Sequence, residues 1–250
     1  MHVRRETFAV RSYEVDAFEV LALPALAGYL QEVAGLHAAE MGCGMEDLMG
    51  RGLTWVLLRQ RIEVSLPARL GDVLEIASWP SGVERLAALR DFEVKRQDGA
   101  VVARAATQWL VVDLARRRPV RPDRVLEEPF RRDETHLFAD FGADLPDPAG
   151  WEAERALEIR YQDIDRNLHV NNASYVAWAI ESVPYETWRS CRVAAVEAHF
   201  MAEARHGGAV RARSSRLDER RLLHGIFRQQ DGKELARLRT GWVPREGPEG

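Results

Sequence analysis

The chain repeats itself, and that repeat limits the folds open to its 250 residues more than any other feature. An offset of 149 places Arg11 on Arg160, Asp16 on Asp165, Tyr29 on Trp178 and Glu32 on Glu181. Pro24 then falls on Ala173, so two helix starts coincide. Nearer the ends of the two copies, an offset of 133 places Asp98-Gly99 on Asp231-Gly232, Thr107 on Thr240 and Trp109 on Trp242. Single identities are cheap, but matches at both ends with elements in one order mark a duplicated supersecondary unit. The second copy is shorter by 16 residues, mostly lacking the loop 42–52.

Each copy reads as a strand, a helix and about four further strands. Residues 8–15 alternate apolar and polar, a strand signal. Pro24 opens a helix at the position where its missing N–H costs nothing. Leu26, Tyr29, Leu30 and Val33 give that helix one apolar face. Residues 53–64 and 71–79 read as strands, and 89–96 and 100–112 flank the hairpin pair Asp98-Gly99. Residues 116–155, rich in Pro and charge, read as a surface connector. The expected division is therefore 1–115, 116–155 and 156–250.

The chemistry concentrates in Tyr161-Gln-Asp163-Ile-Asp165-Arg-Asn167-Leu-His169-Val-Asn171-Asn172-Ala-Ser-Tyr175. A carboxylate, an amide and an imidazole stand at alternate positions, so an extended chain turns them to one side. A helix follows, whose first N–H groups suit an oxygen that becomes negative. Asp165 is the local candidate base, and Glu203, before the Gly207-Gly208 turn, is the distant one. Plainer readings stand beside these. His169, Asn171 and Asn172 can be caps, and Asp165 can be structural, since Asp16 occupies its place in the other copy. That copy has Phe18 and Val20 where the second has Asn167 and His169, so one site per chain is expected.

The motif resembles that of fatty acyl-ACP thioesterases, the plant chain-terminating enzymes and their bacterial relatives. Tyr29-Leu-Gln-Glu, Leu53-Thr-Trp-Val-Leu-Leu-Arg59, Gly71-Asp-Val-Leu-Glu-Ile and Arg90-Asp-Phe resemble first-half segments of the same family. The resemblance implies an α+β tandem hotdog, each half a long helix wrapped by an antiparallel sheet. It implies catalytic roles for Asp165, Asn167, His169 and Glu203, and hydrolysis of an acyl carrier protein thioester. Acyl-CoA hydrolysis and non-catalytic acyl binding are the alternatives. Glu203 is favoured as base or nucleophile, although in single-hotdog relatives the Asp at the Asp165 position plays that part. Plant members often carry a cysteine after the Glu; here it is Ala204. The resemblance assigns an acyl slot to the first half, around Tyr29, Trp55 and Arg59, with Asn171 and Asn172 also near substrate. No metal or cofactor is implied.

Composition narrows the remainder. A net charge of −4 argues against a general nucleic-acid binder. No apolar run approaches the ~20 residues of a membrane helix, and the first residues lack an apolar export signal. With two cysteines, Cys43 and Cys191, a reducing cytoplasm is expected. An acidic carrier protein calls for an arginine patch, with Arg116 to Arg118, Arg131-Arg132, or Arg211, Arg213 and Arg216 as candidates. Monomer and homodimer are both compatible with a tandem chain.

Overall fold

The computed structural model describes residues 2–125 and 137–245. They fall into two compact units that divide between Gly142 and Ala143. In the first unit, β1 (Arg4–Ala9) precedes the helix α1 (Leu23–Glu40) and a short helix α2 (Met45–Met49). Then come β2 (Leu53–Val64), β3 (Val73–Glu84), β4 (Ala87–Arg96), β5 (Val101–Asp113) and a three-residue β6 (Arg118–Val120). In the second unit, β7 (Ala153–Glu158) precedes α3 (Asn172–Glu181) and α4 (Tyr185–Ser190). It continues with β8 (Cys191–Phe200), β9 (Ala209–Arg216), β10 (Arg221–Arg228) and β11 (Glu234–Pro244).

The two sheets are wired identically. The first runs β1-β3-β4-β5-β2, with β6 added beside β5, and all its pairs are antiparallel. The second runs β7-β9-β10-β11-β8, again antiparallel throughout. Strand for strand, this is one topology used twice, as the repeat requires, and it agrees with the tandem hotdog that the resemblance implies. Asp98-Gly99 makes its hairpin as expected: Gly99 takes a φ of 84° and the Asp98 carboxylate accepts the Ala100 N–H at 3.1 Å.

Each helix lies on its own sheet by its apolar face. Leu26, Leu30, Val33 and Ala34 of α1 are buried, against β1 and β3. Tyr175, Val176, Trp178 and Ala179 of α3 are buried over β8 to β11. Full burial of a Leu or Val side chain stabilises by roughly 1.5–3 kcal/mol, so these faces fix where each helix sits.

Three boundaries differ from the sequence reading. The first strand lies earlier, at Arg4–Ala9, because residues 11–14 turn: the Arg11 N–H donates to the Glu14 carboxylate at 2.9 Å. Strand β3 runs on past Trp79 to Glu84, through a bulge between Pro80 and Gly82. The second helix is also shorter, 10 residues against 18, so the length lost from copy two comes partly from the helix itself.

Candidate active site

The loop before each helix is built the same way. In the second unit, the Asp165 carboxylate accepts the N–H of Asn167 at 2.7 Å and of His169 at 3.3 Å. Its own N–H donates to the His169 carbonyl at 2.8 Å, and its carbonyl accepts the Leu168 N–H at 3.0 Å. This folds four residues into a knot that puts Leu168 in the left-handed region, at φ 62°. In the first unit, Asp16 accepts from Phe18 and Val20 at 2.9 and 3.1 Å, and Glu19 sits at φ 58°. The Asp is therefore the scaffold of a turn that both copies share. Ala22 and Asn171 likewise donate their N–H groups to the carbonyls of Glu14 and Asp163, at 2.9 and 2.8 Å.

The backbone then joins this loop to a distant one. The Val170 N–H donates to the Ala204 carbonyl at 2.9 Å, as Leu21 donates to Ala68 at 2.8 Å in the first copy. His169 precedes Val170 and Glu203 precedes Ala204, so this one hydrogen bond brings imidazole and carboxylate side by side. His169 Nε2 lies 3.2 Å from Glu203 Oε2. The Arg228 guanidinium donates to the Glu203 carbonyl at 2.9 Å and steadies that backbone. The carboxylate itself is open, with 57% of the Glu203 side chain exposed against 26% for His169.

The same hydrogen-bond register aligns Pro67-Ala68-Arg69-Leu70-Gly71 with Glu203-Ala204-Arg205-His206-Gly207. Gly71 and Gly207 both take left-handed φ values, 85° and 87°. The first copy therefore has Val20 and Pro67 where the second has His169 and Glu203. This third stretch of the repeat, Ala-Arg-x-Gly, was legible in the sequence. It also carries a residue that reading the motif alone misses: Arg205, whose guanidinium lies 3.2 Å from His169 Nε2.

The remaining candidates separate by what their polar atoms do. Asn167 is exposed and its amide makes no hydrogen bond among the described residues, so it is open to a ligand. Asn171 is the N-cap of α3, its side-chain oxygen accepting the Ala173 N–H at 2.9 Å. Asn172 is the first residue of α3 and half-buried. Tyr175, buried beneath the site, has its phenol pushed up to about 12 by that burial, with the Glu203 charge adding to it. It is a neutral wall rather than an acid-base group.

In the first unit, the Tyr29 hydroxyl donates to Glu14, and its ring stacks on Phe8 at 4.5 Å. The Trp55 indole N–H donates to the Cys43 carbonyl at 2.8 Å, and its side chain packs against the buried cluster that includes Ala38, Leu48 and Val111. Both can offer a substrate only a ring surface. Arg59 follows the bulge in β2 and is half-buried.

Of the arginines expected to meet a carrier protein, Arg211 and Arg213 are both satisfied by Glu154, at 3.4 and 2.6 Å. Arg116 pairs with Asp113 at 3.1 Å. The Arg216 guanidinium makes no ion pair among the described residues, although its backbone N–H donates to Glu152 at 3.2 Å, and Arg131 and Arg132 lie outside them.

Comparison with known proteins gives these features a context. Residues 2–130 match the family model for the acyl-ACP thioesterase N-terminal domain, and residues 149–244 match that for the C-terminal domain. A chloroplastic acyl-[acyl-carrier-protein] hydrolase of Cuphea viscosissima is 27% identical over 96% of this chain and 62% of its own length. A chloroplastic palmitoyl-acyl carrier protein thioesterase of Gossypium hirsutum is 27% identical over 96% of this chain. The chain spans 63% of that relative's length. The solved 12:0-ACP thioesterase of Umbellularia californica superposes with a TM-score of 0.87 at 26% identity, covering 98% of this chain and 99% of that one.

Proposed function

Because the chain belongs to the acyl-ACP thioesterase family, we propose that it hydrolyses the thioester of a fatty acyl chain carried on an acyl carrier protein. The observation that carries this reading is the pairing of His169 with Glu203 in one copy only. It sets an exposed carboxylate and an imidazole beside the start of a helix, on a loop whose scaffold both copies possess.

Glu203 acts as general base. It takes a proton from water as the water oxygen attacks the thioester carbon, and the carbonyl oxygen becomes negative. The Asn167 amide, with nothing else to bond, donates to that oxygen; loss of one such donor typically costs ~3 kcal/mol of transition-state stabilisation. Collapse breaks the carbon–sulfur bond, and the departing thiolate takes up the proton through His169. Direct attack by Glu203 through an acyl-enzyme anhydride uses the same geometry and is separated from this route by isotopic oxygen appearing in the carboxylate. Asp165 holds the loop through backbone N–H groups and touches no reacting atom. The acyl chain occupies the first unit, past the rings of Tyr29 and Trp55.

No helix among the described residues is long and apolar enough to cross a membrane. The two free thiols, Cys43 and Cys191, support a reducing compartment such as the cytoplasm.

The test is kcat/KM on acyl-ACP and acyl-CoA of matched chain length, together with Glu203→Gln. Preference for acyl-ACP and loss of turnover in the variant are expected. Equal rates on the two carriers would remove the carrier protein from the proposal, and an unimpaired Glu203→Gln enzyme would remove the mechanism.

A further inference from the structure

His169 Nε2 has two partners that ask opposite things of it. Glu203 Oε2 lies 3.2 Å away and, when ionised, only accepts. The Arg205 guanidinium also lies 3.2 Å away and only donates. A ring nitrogen carries either a proton or a lone pair, so it satisfies one of these neighbours at a time. With the proton on Nε2, His169 serves Glu203; with the proton on Nδ1, Nε2 accepts from Arg205.

Arg205 has no carboxylate within ion-pair distance among the described residues, so its charge is not spent elsewhere. The groups facing the imidazole can be named element by element. Its own loop supplies Asp165, already accepting two N–H groups, and the exposed Arg166. The loop after β8 supplies Glu203, Arg205 and His206, whose ring is stacked on Tyr161 at 4.4 Å. The turn before the site supplies Asp163, held by Arg160. Helix α3 supplies Tyr175, and β10 supplies Arg228, paired with Asp231 at 2.8 Å. Arg205 is therefore the one cation in direct contact with His169 among the described residues. Arg69 holds the matching place in the first copy, where Val20 replaces the imidazole, so the contact belongs to the second copy alone.

We infer that Arg205 is a positioning residue that competes with Glu203 for Nε2 of His169 and thereby frees the Glu203 carboxylate to act as base. While Arg205 holds the lone pair, Glu203 is not hydrogen-bonded by the imidazole, and an acceptor relieved of its donor is the stronger base. Removing Arg205 lets Nε2–H close on Glu203 and occupy the acceptor the base would use. This deepens the hydrolytic mechanism proposed above, but the contact itself is measurable without any substrate.

The experiment uses the full chain, with Arg205→Gln and Arg205→Lys. In nitrogen-detected NMR of the substrate-free protein at pH 8, wild-type His169 is expected mainly with its proton on Nδ1, and Arg205→Gln with it on Nε2. In the kinetic arm, kcat of Arg205→Gln falls about fivefold while KM stays within about twofold. Arg205→Lys keeps a cationic donor for Nε2 and restores both the tautomer and kcat, which a merely structural role does not predict. An unchanged tautomer in a folded Arg205→Gln protein overturns the inference. A tautomer change in a protein that hydrolyses no thioester upholds the contact and instead removes the proposed function.

Discussion

The two halves of this protein share a loop and differ in what hangs on it. Asp16 and Asp165 each gather two backbone N–H groups, and each loop is tied to the segment before the third strand of its own sheet by a backbone hydrogen bond, Leu21 to Ala68 and Val170 to Ala204, to which the first copy adds Leu70 to Glu19. Only the second loop ends in an imidazole, and only the second partner segment has a carboxylate at the aligned place, Glu203 against Pro67. The duplication thus works as an internal control. On the proposed mechanism, what both copies retain is architecture, and what one copy alone has is chemistry. Asp165, which the motif makes look catalytic, then falls on the architectural side.

The largest effect expected from breaking this contrast is in Glu203→Gln, which removes the carboxylate and keeps its shape. A lost general base typically costs 10²–10⁴-fold, so kcat should fall at least about 100-fold. The melting temperature should barely move, because the side chain is mostly exposed. His169→Ala should lose activity on a similar scale. Full activity in either variant would collapse the distinction between the copies.

Next come Asp165→Ala and Asp16→Ala as a matched pair. Each leaves two backbone donors without their acceptor, at about 1–3 kcal/mol. For a chain of this size that corresponds to roughly 2–4 °C per kcal/mol. Thermal melts should show similar losses for both, while activity assays show a much larger loss for Asp165→Ala, whose loop holds His169. If Asp165→Ala loses activity with no loss of stability, the carboxylate is chemical after all.

The copies also bury different histidines. His224 in β10 is fully buried between Ser182 and Thr240, at 3.1 and 2.7 Å, and burial pulls it down to about 3. His37 in α1 is pulled down to about 4, by burial first and by the Arg90 charge second. It contacts Arg90 at 2.8 Å and the partly exposed His2 at 2.6 Å. A histidine held neutral in the fold but free to protonate when unfolded contributes stability that is intact above about pH 6.5 and is lost as pH falls towards the folded value. Stability should therefore decline from about pH 6.5 downward. Denaturant titrations at pH 7 and pH 5 should show a shallower decline in His224→Gln than in the wild type. His37→Gln should flatten it by nearly as much, because pH 5 lies above both folded values and the two separate only near and below about pH 4.

The smallest effect is reserved for Arg211→Gln and Arg213→Gln. Exposed Arg211 and half-buried Arg213 already face Glu154, and solvated pairs of this kind contribute roughly 0–1 kcal/mol. Stability should hold nearly constant, and KM for acyl-ACP should stay within about twofold. A several-fold rise in KM would restore this patch as a carrier-docking surface.

Much of this was legible before any coordinates. The Asp98-Gly99 turn, the strand Leu53–Val64 and the helix opened by Pro24 follow from local preferences, and the structure has them where expected. The first strand was misplaced because residues 11–14 alternate like a strand while a local carboxylate, that of Glu14, bends them into a turn. Of the two readings the motif allows for Asn171, cap and substrate contact, the structure shows the cap, with its amide oxygen accepting the Ala173 N–H.

By itself the sequence determined the duplication, the order of elements and the single position where an imidazole precedes a helix. These are properties of residue identity and short-range periodicity, written along the chain. Only the tertiary structure decided which distant groups share a site. Arg205 lies 36 positions from His169, and both it and Glu203 reach the imidazole because one backbone hydrogen bond, Val170 to Ala204, sets the register between two loops. Composition does not encode that register. It follows from how each helix packs on its sheet and from a left-handed turn at Leu168 that the Asp165 carboxylate holds in place.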